Sequence, residues 1–170
     1  MELIQMIILV FLYVVPLYIA NSSPVIAHGK VPLDFGKKLF GQPILGKGKT
    51  VLGTVAGITI GTGTGAIILL FFPQAEQLIP NYLQLAFLLA FGAIIGDVTK
   101  SFFKRRFSIK SGEKWDLADQ LDFVLGGLLV SMLLRIPEVW LVVLLLIATF
   151  FIHKTFNWVA YKLKLKEVPW

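Results

Sequence analysis

Long apolar runs, separated by short polar ones, dominate the chain. Five of them approach the roughly 20 residues with which an α-helix crosses about 30 Å of hydrocarbon. They cover about residues 3–20, 51–72, 83–99, 118–135 and 139–161. The pattern predicts an all-α, polytopic membrane protein with five transmembrane helices, built as a single integral membrane domain over residues 1–170. The first run has no basic segment ahead of it and no clear small-x-small site behind it, so it is read as a span rather than a cleaved signal peptide.

Charge orients this array. Residues 21–50 carry Lys30, Lys37, Lys38, Lys47 and Lys49, and residues 100–117 carry Lys100, Lys104, Arg105, Arg106, Lys110 and Lys114. The C-terminal end carries Lys154, Lys162, Lys164 and Lys166. With five spans all of these fall on one side of the bilayer, and Arg135 alone falls on the other. The positive-inside rule then puts the N-terminus outside and the C-terminus in the cytoplasm, with segments 21–50 and 100–117 cytoplasmic. An even number of spans would scatter the charges.

Composition excludes other classes. The chain is 56% hydrophobic and only 15% charged, where a soluble domain is about a quarter charged, so one small core cannot hide its apolar surface. The net charge of +6 fits cytoplasmic flanks and anionic headgroups. In a chain this apolar it does not indicate a nucleic-acid partner. Cysteine is absent, which removes disulfides and thiolate metal sites. His28 and His153 are the only histidines, too few for a zinc site.

Gly53, Gly57, Gly61 and Gly65 recur every fourth residue and form one smooth helical stripe. Such a stripe packs a neighbouring helix closely, either within one chain or between two copies in a homodimer. Gly53, at the cytoplasmic end, also leaves room for a ligand to approach the backbone.

The remaining signal is acidic. Asp97, Ser101 and Lys104 follow i, i+4, i+7 at the end of the third span, within about 40° of one another, with Arg105 beside them. Asp116, Asp119 and Asp122 step by three at the start of the fourth. The two spans are antiparallel neighbours, so their cytoplasmic ends converge. A carboxylate inside a span is costly unless it faces protein, water or a cation. Asp97, Asp119 and Asp122 are therefore candidate ligands for Mg²⁺, which takes hard oxygen donors together with substrate phosphates. Lys104 and Arg105 suit phosphate oxygens, and Ser101 can donate to one. Lys47, Lys49 and Thr50 open the second span, where free N–H groups and two lysines suit an anion. With Asp34 and Gly53 they form the candidate nucleotide-binding set. Asn21, Lys110 and Asp116 are secondary candidates, and helix packing is the alternative role of Asn21.

These residues resemble the signature of the phosphatidate cytidylyltransferases, or CDP-diglyceride synthases. Ser101, Arg105 and Lys110 hold its opening spacing, and Asp119 and Asp122 its closing Asp-x-x-Asp. Ser111 replaces an aspartate of the pattern, Gln120 replaces an arginine, and "GEKWDLA" stands where a Pro-Gly-His-Gly-Gly segment is found. The small size, the five spans and "PLDFGKKLFGQPILGKGKTVLG" (Pro32 to Gly53) are similar to the archaeal branch, the CDP-archaeol synthases. The resemblance implies a CTP-dependent cytidylyltransferase. It would convert an isoprenoid glycerol phosphate lipid to CDP-archaeol and pyrophosphate, with its active site facing the cytoplasm. A small polytopic transporter and a cytidylyltransferase for diacyl phosphatidate are the alternatives. The absence of an internal repeat and the clustering of aspartates at one face disfavour the transporter.

Overall fold

A computed structural model describes residues 2–27, 29–110 and 113–162. In chain order its elements are α1 (Leu3–Ile26), β1 (Lys38–Leu39), β2 (Gln42–Pro43), α2 (Val51–Phe71), α3 (Gln74–Leu78), α4 (Tyr82–Arg106), α5 (Asp116–Ser131) and α6 (Val139–Lys162). Helices α1, α2 and α4 are long and apolar enough to cross a membrane. The protein is thus a mostly helical, polytopic membrane protein. The apolar part of α6 is shorter, over Val139–Ile152, and α5 has 16 residues.

Several boundaries differ from the hydropathy reading. α1 runs through Asn21 to Ile26, so the first polar segment begins inside a helix. α4 continues past Lys100 to Arg106. Its basic tail is stable there because cations suit a helix C-terminus and because Lys100 and Lys104 find carboxylate partners. α5 starts at Asp116 and stops at Ser131, earlier at both ends than the apolar run. Lys164 and Lys166 lie outside the described residues.

The segment between α1 and α2 is not the plain loop of an all-α protein. β1 and β2 pair antiparallel, with Leu39 opposite Gln42 and Lys38 opposite Pro43. Phe40 (φ 51°) and Gly41 (φ 77°) both take the left-handed region at the tip, which is the geometry of a two-residue type I′ turn. Arg106 clamps this hairpin to the end of α4. Its Nη1 donates to Leu39 O (2.6 Å), and its Nη2 donates to Pro43 O (2.6 Å) and Gln42 O (3.3 Å).

Small residues set the helix spacing. A Cβ added at Gly61 would lie 2.7 Å from Ala20 Cβ on α1 and 2.8 Å from Ala90 Cβ on α4, so the glycine stripe is consumed inside the chain. α4 and α5 approach still more closely, where Gly92 and Gly96 face Gly126 and the Asp122 backbone. Around these seams Leu12, Leu17, Leu85, Leu89, Phe123 and Leu145 are fully buried. Tyr82 is buried with them, and its hydroxyl donates to Leu12 O at 2.9 Å.

Candidate active site

The close α4–α5 seam carries the acidic residues together. Asp97 and Lys100 are one helical turn apart on α4, and Asp119 and Asp122 are one turn apart on α5. The Lys100 Nζ lies 3.3 Å from Asp97 Oδ1, 3.1 Å from Asp119 Oδ1 and 2.7 Å from Asp122 Oδ2. All three carboxylates thus converge on one ammonium. The Asp122 Oδ2 atom is buried and meets Lys100 as an ion pair outside hydrogen-bonding geometry.

Two more lysines complete the cluster. Lys49, just before α2, places Nζ 2.5 Å from Asp97 Oδ2. Lys104 donates to Asp119 Oδ1 and Oδ2, both at 3.1 Å, and to Glu113 O. Asp119 Oδ2 also accepts from the Trp115 N–H at 2.7 Å. Three carboxylates and three ammonium groups therefore balance at this end of the bundle. Burying such charges is tolerable only because each is paired.

The residues expected to bind nucleotide are only partly joined to it. A small cleft is lined by Pro24 of α1, by Lys49, Thr50 and Gly53 at the start of α2, and by Ile94 and Asp97 of α4. Thr50 is the N-cap of α2, and its Oγ1 accepts from the Gly53 N–H (3.1 Å) and the Gly29 N–H (3.2 Å). Lys47 is exposed on the adjoining loop. Asp34 organises the loop itself. Its Oδ1 accepts from the Gly36 N–H (3.0 Å), and its Oδ2 accepts from the N–H groups of Leu45 (2.9 Å) and Gly46 (3.2 Å). Burial pushes the Asp34 carboxyl up, but these donors outweigh it and hold the group below the ordinary carboxylate value.

Other candidates are engaged locally. Ser101 Oγ donates to Asp97 O within its own helix at 2.8 Å, a bond that competes with any outside partner. Arg105 is buried and turns back, donating from Nη1 to Ile109 O at 2.6 Å. Its Nε has no hydrogen-bond partner and lies against Gly46. Lys110 is exposed, and its backbone N–H donates to Glu113 Oε2. Asn21 is half-buried in α1. Asp116 begins α5, and its side chain lies outside what the structure describes.

Lys100 is the residue that sequence reasoning missed. The charge pattern marks it only as an orienting residue, yet it stands three residues after Asp97 and four before Lys104, on the face that carries both. That spacing was the available signal. Arg106 also enters the sequence pattern only as an orienting charge, and its hairpin clamp has no signature in the sequence.

The donor set can be tested against Mg²⁺. Three hard oxygens from two helices all lie within 3.3 Å of one cationic point, which suits the ion's chemistry. The point is taken by an ammonium, and among the described residues no three acidic or histidine side chains have ready-made metal spacing. The donors are of the type that Mg²⁺ takes, and the point between them is held in this structure by the Lys100 ammonium.

The fold and the site define a polytopic helical membrane protein with a balanced, partly buried charge cluster at one end of its bundle. The chain matches the family model "CarS-like: CDP-archaeol synthase" over residues 3–170. It is 40% identical over 166 residues to a CDP-archaeol synthase of Methanospirillum hungatei, covering 91% of this chain and 99% of that one. It is 42% identical over 161 residues to one of Pyrococcus abyssi, covering 94% and 96%. A solved structure of an intramembrane enzyme for archaeal membrane lipids biosynthesis superposes with a TM-score of 0.78 at 35% identity, covering 86% of this chain and 91% of that chain. The chain belongs to the CDP-archaeol synthase family, and it is an enzyme, a CTP-dependent lipid phosphate cytidylyltransferase.

Proposed function

We propose that the protein makes CDP-archaeol and pyrophosphate from CTP and 2,3-di-O-geranylgeranylglyceryl 1-phosphate, with Mg²⁺. The observation that carries this reading is the convergence of Asp97, Asp119 and Asp122 on one cation, flanked by Lys49 and Lys104. Chain orientation supports a cytoplasmic supply of CTP. Five crossings, with the N-terminus outside and the C-terminus inside, keep the basic segments and the cluster on the cytoplasmic face. The cleft between α1, α2 and α4 joins the apolar Pro24 and Ile94 to Lys49 and Asp97. Apolar and charged side chains thus meet at one place, as an amphiphilic substrate requires.

An oxygen of the lipid phosphate attacks the α-phosphorus of CTP in line. A new P–O bond forms as the bond to the β-phosphate bridging oxygen breaks, and pyrophosphate leaves with the electron pair. The nucleophile is already anionic, so no strong general base is needed. The main barrier is the mutual repulsion of the phosphates, and catalysis is mostly positioning and charge neutralisation. Lys49 and Lys104 hold phosphate oxygens. Asp97, Asp119 and Asp122 would hold Mg²⁺, which supplies charge neutralisation on the triphosphate. Arg105 and Ser101 reach a phosphate only after giving up their local bonds, so we assign them to support of the α4 end.

The test is turnover of purified protein with labelled CTP, offering the isoprenoid ether lipid or diacyl phosphatidate, with Mg²⁺ or with EDTA. Label should enter a lipid-extractable product with the ether lipid and Mg²⁺ and not with EDTA. Equal turnover of both lipids would overturn the substrate assignment, and full activity in EDTA would overturn the metal.

A further inference from the structure

We propose that Lys100 is a built-in stand-in for the divalent cation, an ammonium that ties the three carboxylates together until the metal displaces it. This deepens the proposed function and rests on its metal assignment. Four observations carry it. Among the described residues the Lys100 Nζ is the one atom that contacts all three aspartates, at 2.7 to 3.3 Å. It is mostly buried, with its side chain 14% exposed. Asp122 is the deepest of the three, with a side chain 6% exposed, and Lys100 is its ion-pair partner. Asp97 and Asp119 each keep a second lysine, Lys49 and Lys104. The arrangement is therefore split in function. Lys49 meets Asp97 at Oδ2, the oxygen that Lys100 leaves free, and Lys104 meets Asp119 at both oxygens, one of them shared with Lys100, so both lysines can remain on these carboxylates when a metal enters. Lys100 sits between them, where a metal and an ammonium exclude each other.

The physical reason for such a device is the cost of bare carboxylates. Three aspartates at a helix seam without a central cation would repel one another in a poorly solvated site. The α4–α5 seam has no slack to absorb that repulsion, because Gly96 packs directly on the Asp122 backbone. An ammonium on a flexible four-carbon stem neutralises them and can still move aside, unlike a rigid guanidinium fork. The binding of metal and the release of Lys100 are then one exchange. The released ammonium is then available to the incoming phosphates beside Lys49 and Lys104.

The experiment uses the full-length protein purified in detergent, without CTP, and reads Mn²⁺ binding by electron paramagnetic resonance and unfolding by tryptophan fluorescence. K100M should lower the metal-free melting temperature by roughly 10 °C and recover most of that loss with Mg²⁺. Its Mn²⁺ affinity should be at least tenfold tighter than that of the wild type, since no ammonium must be displaced. K100R keeps the charge and should bind Mn²⁺ at least tenfold more weakly. It also serves where K100M cannot be purified. Wild-type affinity in both variants would overturn the stand-in role while leaving the metal assignment intact. No Mn²⁺ binding in the wild type or in K100M would overturn the metal assignment, and the stand-in role with it.

Discussion

The Lys49 ammonium lies 2.5 Å from Asp97 Oδ2, across 48 residues of sequence. This pair ties the segment before α2 to the C-terminal half of α4, and it brings a candidate nucleotide-binding residue against a candidate metal ligand. K49M should leave the fold intact, because Asp97 keeps Lys100 as a partner. Its kcat/KM for CTP should fall roughly 100-fold, about 2.7 kcal/mol of transition-state stabilisation. Steady-state kinetics checks this, and a change within threefold would remove Lys49 from the phosphate-binding set.

Of the three carboxylates Asp119 has the most partners, meeting Lys100, Lys104 and the Trp115 N–H. D119N keeps the shape and loses the charge. Turnover should drop below detection while the protein still inserts and purifies as a folded species. Near-normal activity would rule Asp119 out as a metal ligand.

Two glycines give opposite expectations. A methyl group at Gly96 would collide with the Asp122 carbonyl oxygen and lie 3.2 Å from Gly126 Cα, whereas one at Gly63 meets nothing within 4 Å. G96A should cost roughly 1–3 kcal/mol through overpacking and should also lower activity, because relieving the clash moves Asp122. G63A should be neutral or slightly stabilising, since alanine favours the helix. Melting curves and turnover of the two variants make the comparison. Equal stability would mean that the α4–α5 seam is looser than described.

The Asp34 loop should carry a pH signature. Its folded carboxyl lies below the ordinary value of 3.8, since donors from Leu45, Gly36 and Gly46 outweigh burial. The stabilisation is therefore complete above about pH 4 and is lost as pH falls through the lower folded value. Hydrogen exchange at Leu45 and Gly46, corrected for intrinsic rates, should keep its protection down to that point and lose it below. D34A leaves three N–H groups without their acceptor, a cost of about 1–3 kcal/mol, and should remove the protection at every pH. Protection in D34A equal to the wild type would mean that Asp34 does not hold the loop.

Much of this protein is legible in one dimension because a bilayer reads one dimension. Spans appear as apolar runs, and the seam-forming glycines appear as a period of four, since both report on the surface a single helix presents. The aspartates stand out for the same reason, being polar where the surrounding residues are apolar. Helix ends were less legible, because side-chain pairing beyond the apolar run decides where they fall. α4 runs on to Arg106 since Lys100 and Lys104 are neutralised by residues of α5.

The sequence by itself determined the helical membrane class, the glycine seam and the residue types of the site. Only the tertiary structure decided which charge meets which. Lys49 reaches Asp97, Arg106 holds a hairpin that no periodicity announces, and Lys100 sits where a metal was expected. Such pairings depend on helix spacing and loop path, set by close packing across the whole bundle, and no local pattern encodes them.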